Sequence, residues 1–318
     1  MRSARLLFMF FIIIMMQQTA CVRTQSPLTI ATSKWLGYGF ISLAEREGQL
    51  AGKNIQLVHM NSATEMIEAL VDNRVLGATL TLDEVMRARN MGVPLQIVLV
   101  FNESAGADVL ISRTQITGPE ELKGKRIGVE WSAVGALMLS EVLSRSNLAY
   151  SDVKLIDIPA DRQLDSWNTE KLDAIITYEP MATRLIQNGG YRVFDSKQMP
   201  EMIFDVLAIR SDVIEQHADA VRSLSAAHFS MLQRMRINPQ DTAYRIASLI
   251  ELTGEEVMVA FRGIEIPQLS ANRQYLEADN KIIKAAVDIS LLMSRNNMTN
   301  HDDNLFNLVS DDYLPVDN

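Results

Sequence analysis

Asp108-Val109-Leu110-Ile111-Ser112 and Asp205-Val206-Leu207-Ala208-Ile209-Arg210 decide how this chain is read, because one pattern, an acid followed by an apolar run, occurs twice and brackets everything between. Each is a short apolar segment with polar residues at both ends, the signature of a strand buried in a sheet. A chain that leaves one α/β unit, builds a second and returns must cross twice, and paired crossings are where hinge closure concentrates its dihedral change. The two segments are read as crossing strands. They divide the chain into a discontinuous first lobe, 22–110 plus 206–318 with C-terminal helices, and a second lobe, 111–205.

Outward from the crossings, short β-branched runs alternate with amphipathic stretches, the rhythm of a parallel or mixed sheet covered by helices. Before the first crossing, strands are expected at Leu28 to Thr32, Ile55 to Met60, Ala78 to Thr81 and Gln96 to Phe101, with helices over Ile41 to Glu47, Ser62 to Val71 and Leu82 to Met91. Ser62-Ala63-Thr64-Glu65 and Thr81-Leu82-Asp83-Glu84 fit capping boxes, so both helices open at strand ends. Between the crossings the rhythm repeats. Strands are expected at Arg126 to Val129, Val153 to Ile158, Ala174 to Thr177 and Arg192 to Phe194, with helices near Val134 to Arg145, Arg162 to Asn168 and Met181 to Gln187. Beyond Ser211 the pattern is helical through Ala220 to Arg236, Thr242 to Ile250, Glu255 to Arg262 and Ala271 to Met293. The acidic tail from His301 is expected at the periphery.

The only cysteine, Cys21, falls where a secretory leader would be cut. Arg2 and Arg5 precede an apolar run from Leu6 to Met16, too short for the roughly 20 residues a membrane-spanning helix needs. Thr19-Ala20-Cys21 resembles the lipobox of bacterial lipoproteins, in which the cysteine is lipidated and becomes the mature N-terminus. The expectation is a signal peptide over 1–21 and a thiol-free protein tethered through Cys21 on the periplasmic side. Val22 in place of the Asp that marks inner-membrane retention leaves an outer-membrane tether open. A net charge of −9 argues against a nucleic-acid partner, which needs a basic face. A chain that is 47% hydrophobic has enough apolar surface for real cores, so disorder is excluded for its bulk.

Seven segments in order, WLGYGF (Trp35 to Phe40), SATEMIEAL (Ser62 to Leu70), TLDEVM (Thr81 to Met86), SAGADVLIS (Ser104 to Ser112), PEELKGKRIGVE (Pro119 to Glu130), AIITYEP (Ala174 to Pro180) and DVLAIR (Asp205 to Arg210), resemble one family. It is the periplasmic solute-binding family of ABC importers that includes sulfonate, taurine, nitrate and thiamine-pyrimidine binders. The resemblance implies a two-lobed periplasmic-binding-protein (type II) fold, with a ligand clamped between lobes and delivered to a permease. Val75-Leu76-Gly77 departs from the family's Gly-hydrophobic-Asp step, and Trp167 falls in a linker-like stretch before Asp173.

Ligands of open α/β sheets sit outside the carboxyl ends of the strands. That rule nominates Trp35, Tyr38, Ser62, Thr64, Thr81, Asp83, Ser104 and Asp108 in the first lobe, Trp131, Ser132, Tyr178 and Glu179 in the second, and Asp205 at the returning crossing. The aromatic residues offer faces for a heterocycle or a cation, although a lone aromatic beside a strand is often core filler. Ser62, Thr81 and Ser132 can donate to an anion at helix starts, but capping accounts for them equally well. Asp83, Asp108, Glu179 and Asp205 are unaccompanied by Arg or Lys, which favours a nitrogenous ligand, neutral or cationic, over a sulfonate or nitrate. The competing reading makes Asp108 and Asp205 hinge residues and Glu179 a helix cap.

No catalytic motif competes. His59, His217, His228 and His301 lack metal-ligand spacing, Gly37-Tyr38-Gly39 lacks the third glycine of a dinucleotide motif, and neither metal nor cofactor is expected. The resembled family also includes pyrimidine-synthesis enzymes, which are cytoplasmic. The chain is read as a lipid-anchored solute-binding protein that takes a small polar, nitrogen-containing molecule in the interlobe cleft and delivers it to an ABC permease. The alternatives are a ligand sensor that signals to a membrane kinase or cyclase, a sulfonate or oxoanion binder and, least favoured, an enzyme of the pyrimidine-synthesis type.

Overall fold

The computed structural model describes residues 25–131, 134–169, 171–277, 281–295 and 305–316. Cys21, the leader before it and Ser132 lie outside the described residues. Two sheets are present. The first is six-stranded, in the order β11-β4-β10-β3-β1-β2, built from β1 (Leu28–Thr32), β2 (Ile55–His59), β3 (Gly77–Thr81), β4 (Leu95–Ser104), β10 (Phe204–Arg210) and β11 (Ile264–Glu265). The second is five-stranded, in the order β7-β6-β8-β5-β9, from β5 (Asp108–Ser112), β6 (Arg126–Val129), β7 (Lys154–Asp157), β8 (Ala174–Tyr178) and β9 (Tyr191–Asp195).

Parallel pairing of β1 with β2 and β3, and of β6 with β7 and β8, follows from the helical crossovers that the sequence pattern anticipates. These crossovers are α1 (Gly39–Arg46), α2 (Ala63–Val71), α3 (Leu82–Asn90), α4 (Val134–Arg145), α5 (Gln163–Thr169) and α6 (Met181–Gln187). The antiparallel pairings are those of β10, set between β3 and β4, of β11 on the edge beside β4, and of β5, set between β8 and β9. The change of sheet comes earlier than expected at both crossings. Asp108 already pairs with Tyr178 in the second sheet, and Asp205 pairs with Thr81 and Asn102 in the first. The connecting chain is therefore 105–107 on one side and 196–203 on the other, and neither strand is itself the crossing.

The C-terminal part adds α7 (Ala218–Ile237), α8 (Pro239–Ala247), α9 (Gly254–Ala260), α10 (Leu269–Leu276) and α11 (Lys281–Arg295). The expected single helix over Ala271 to Met293 is two helices, because Glu277 takes an extended backbone and ends α10. Asn272 of α10 is fully buried and bonds both backbone groups of Val100, accepting at 2.8 Å and donating at 3.0 Å, so an amide satisfies the β4 backbone where no strand reaches. α11 packs on α3 of the first lobe and α4 of the second.

Residues 305–316 are docked on the first lobe, which corrects the peripheral tail expected from composition for that part of it. Ile97 donates to the carbonyl of Leu308 at 2.7 Å and accepts from Ser310 at 2.9 Å, and Leu308, Tyr313 and Leu314 are buried. Trp167 is likewise core, not linker: it packs with Val109, Ile111 and Ile175, and the Arg113 guanidinium lies 4.3 Å from its ring centroid. No described helix is long and apolar enough to cross a membrane.

Candidate functional site

The site begins with a glycine-containing turn. Trp35-Leu36-Gly37-Tyr38 follows β1, and its tight 3-10 turn sends Trp35 and Tyr38 back over the carboxyl end of the first sheet. Tyr38 donates its hydroxyl to Asp205 Oδ1 at 2.7 Å. Asn102, opposite Asp205 across β4 and β10, donates to Asp205 Oδ2 at 2.7 Å and accepts from Trp35 Nε1 at 3.3 Å. One buried chain of hydrogen bonds thus fixes two aromatic walls and a carboxyl together.

Trp35, Tyr38 and Asp205 border a cleft between the lobes that is open to solvent. Four carboxyls face it: Glu84 and Asp205 from the first lobe, Asp108 and Glu130 from the second, each no more than 6% exposed. No Lys, Arg or His is among the described residues that line it. Across the cleft the lobes touch. Trp35 meets Tyr178 edge to face with centroids 5.4 Å apart, and Thr64 donates to Glu130 at 3.4 Å.

The electrostatics follow from crowding like charges in a dry place. Burial, with Asp108 nearby, lifts Asp205 to about 7 despite the hydrogen bonds it accepts. Burial lifts Asp108 to about 6. Glu84 is pushed well up by burial and by adjacent Asp83, with Glu130 of the other lobe adding to the repulsion. Burial and the surrounding acids also raise the Tyr178 hydroxyl. Such a cluster stabilises positive charge or N–H donors, and without them it retains protons.

Of the residues nominated from sequence, the structure brings Trp35, Tyr38, Ser62, Thr81, Asp108, Tyr178 and Asp205 to the cleft wall. Ser62 also caps α2, accepting from Glu65 N at 3.2 Å, so capping and lining coincide. The others stand elsewhere. Asp83 is buried behind the wall, accepting from the Thr81 hydroxyl at 2.7 Å, because its place on α3 turns it away from the opening. Glu179 accepts from Thr183 N at 3.1 Å and pairs with Arg192 at 3.7 Å, the helix-cap reading rather than the cleft reading. Ser104 ends β4 just before the crossing, its hydroxyl 2.7 Å from that of Ser196, and Gly106 at φ +114° makes the turn that follows. Trp131 packs edge to face on Tyr150 at 5.4 Å. Thr64 reaches the site by its hydrogen bond to Glu130.

Glu84 and Glu130 were missed. Glu84 hides in its capping role, accepting from Thr81 N at 2.8 Å, and Glu130 closes a strand motif. Position at a strand or helix end, the rule that found Asp108, was the signal available for both. His228 lies away from the cleft among the rings of Phe40, Phe101 and Phe229, and burial lowers it to about 3. Among the described residues no group of three His, Cys, Asp or Glu could hold a metal ion.

Two mixed sheets, two crossings and a cleft between them define the periplasmic-binding-protein fold. The aliphatic sulphonate binding protein SsuA of Escherichia coli superposes with a TM-score of 0.73 at 15% identity, covering 90% of this chain and 92% of that one. The alkanesulfonate-binding SsuA of Xanthomonas axonopodis pv. citri, bound to MOPS, gives 0.71 at 16%, covering 91% and 98%. In sequence, residues 23–251 match the NMT1-like family, and the chain belongs to it. The taurine-binding periplasmic protein of Escherichia coli is 21% identical over 192 residues, 59% of this chain. That match spans 60% of the relative's own length.

Proposed function

We propose that the protein is an extracytoplasmic solute-binding protein that captures a small nitrogen-bearing solute between its lobes and delivers it to an ABC permease. The observation that carries this reading is the set of four buried carboxyls, Glu84, Asp108, Glu130 and Asp205, around a cleft with no cationic side chain among its described walls. A sulfonate placed there would face acids on both sides. An ammonium or amidinium would face complementary charge and two aromatic faces. The taurine-binding relative supports the import role, and taurine itself carries an ammonium beside its sulfonate. Only a ligand that touches both lobes can shift an open and closed equilibrium, and the four acids divide evenly between the two.

Tethering through Cys21 belongs to the same proposal and is supported by the leader sequence alone. Cys21→Ser should abolish incorporation of labelled palmitate. Labelling retained in that variant would remove the lipid anchor.

The test of the ligand class is calorimetric titration of the chain from Val22 with primary amines, amidines, taurine and alkanesulfonates. Saturation at 100 times the dissociation constant also adds about 2.7 kcal/mol of stability, visible on melting. Binding of amines but not of simple alkanesulfonates is expected. Binding of alkanesulfonates alone would overturn the charge reading and leave a solute-binding protein of another specificity.

A further inference from the structure

A second, blind pocket adjoins the cleft and enters the second lobe. Asp108, Glu130, Val134 and Tyr178 line both spaces, whereas Gln163 and Thr177 line only the deeper one. Thr177 is 2% exposed, and its hydroxyl has no hydrogen-bond partner among the described residues. A buried hydroxyl without a partner is costly, so this one gains by pairing with a polar group that enters the pocket it lines. The amide nitrogen of Gln163 is already committed, donating to the carbonyl of Ile176 at 3.2 Å. The other polar walls are the carboxyls of Asp108 and Glu130, the latter also accepting from Thr64, and the Thr177 hydroxyl. The space holds about one water-sized group, which admits an ammonium head and excludes a sulfonate.

We infer that the ligand is a diamine: one ammonium head occupies the main cleft beside Glu84 and Asp205, and the second fills the blind pocket against Asp108, Glu130 and Thr177. The short apolar spacer then runs past Tyr178 and Val134, which border both spaces. This rests on reading the cleft as a cation site and adds the second head. Four carboxyls shared between two cationic heads also account for the number of acids better than a single amine does.

The experiment compares 1,4-diaminobutane, 4-amino-1-butanol and butylamine by calorimetry on the unmodified protein at constant pH and salt. The diamine should bind at least about tenfold more tightly than either monoamine, because its second charge-assisted contacts are buried. In Thr177→Val, which keeps the shape and removes the hydroxyl, the ratio of diamine to butylamine affinity should fall about fivefold. Equal affinities for all three would overturn the second head and leave the cation cleft standing. An undiminished ratio in Thr177→Val would overturn the pocket as its seat. Failure of every amine to bind would overturn the cation reading and this inference together. The comparison among the three amines needs no variant, so a folding defect in Thr177→Val leaves it decisive.

Discussion

Gly37 and Asn102 stand closer than any side chain at position 37 permits: a Cβ there would lie 1.8 Å from Asn102 Oδ1 and 3.0 Å from Trp35 Nε1. Asn102 cannot swing aside freely, since it is fully buried and bonded to both Trp35 and Asp205. The glycine is thus what lets the aromatic turn pack on the acid. Gly37→Ala should cost about 1–3 kcal/mol in urea unfolding and weaken ligand binding, because the added methyl displaces Asn102 from both bonds. Wild-type stability and affinity in that variant would show that the turn is positioned by something else.

Asp205 makes the unliganded protein less stable as pH rises. Its carboxyl is lifted to about 7 in the fold, against about 3.9 in an unfolded chain. Between those values the native state holds the proton and the unfolded state has lost it, so stability falls as pH climbs from about 4 to about 7 and levels off above. Asp108, lifted to about 6, adds a slope of the same sign. Asp205→Asn should flatten the decline, leaving the wild type to lose on the order of 1–3 kcal/mol more than the variant between pH 5 and pH 8. Parallel unfolding curves at the two pH values would mean that Asp205 keeps no extra proton.

Much of this site was legible because strand ends are. Asp108, Tyr178 and Asp205 lie where a strand meets the cleft, and the βαβ rhythm locates such ends without a structure. The two lobes follow from the repeated acid-apolar segments for the same reason. What the sequence concealed depends on contacts between distant residues. Glu179 sits at a strand end too, but Arg192 from β9 and the first turn of α6 claim its carboxylate. Asp83 and Glu84 are neighbours on one helix, and only the helix phase decides that Glu84 meets the cleft. The docked tail and the Asn272 plug are invisible for the same cause, since the tail's few apolar residues are scattered among acids and Asn272 is polar, and each is held to β4 from far along the chain.

Ligand affinity should carry the opposite pH dependence to stability. A cation displaces the protons that Asp108, Asp205 and Glu84 hold in the empty cleft, so binding should tighten as pH rises from 5 to 8 and should release protons. Calorimetry in two buffers of different ionisation enthalpy measures that release directly. Tightening towards acid pH, with proton uptake, is the behaviour of an anion site and would reverse the assignment.

Glu84 and Glu179 separate binding from bracing. Both are buried acids near the cleft, but Glu84 lines it, whereas Glu179 is tied to Thr183 N and to Arg192. Arg192 in turn donates to the carbonyl of Gly106 at 3.1 Å and to Asp195 at 3.2 Å, so this cluster supports the first crossing. Glu179→Ala should therefore cost about 1–2 kcal/mol of stability through the lost cap and pair, with amine affinity nearly unchanged. Glu84→Gln keeps an oxygen for Thr81 N and removes the carboxylate that would form against a bound cation, so stability should hold while amine affinity falls about tenfold. Paired unfolding and titration of the two variants distinguish these outcomes. If Glu179→Ala loses the ligand and Glu84→Gln keeps it, the carboxyl that meets the solute is the one tied to Arg192, and the cleft must open towards β9.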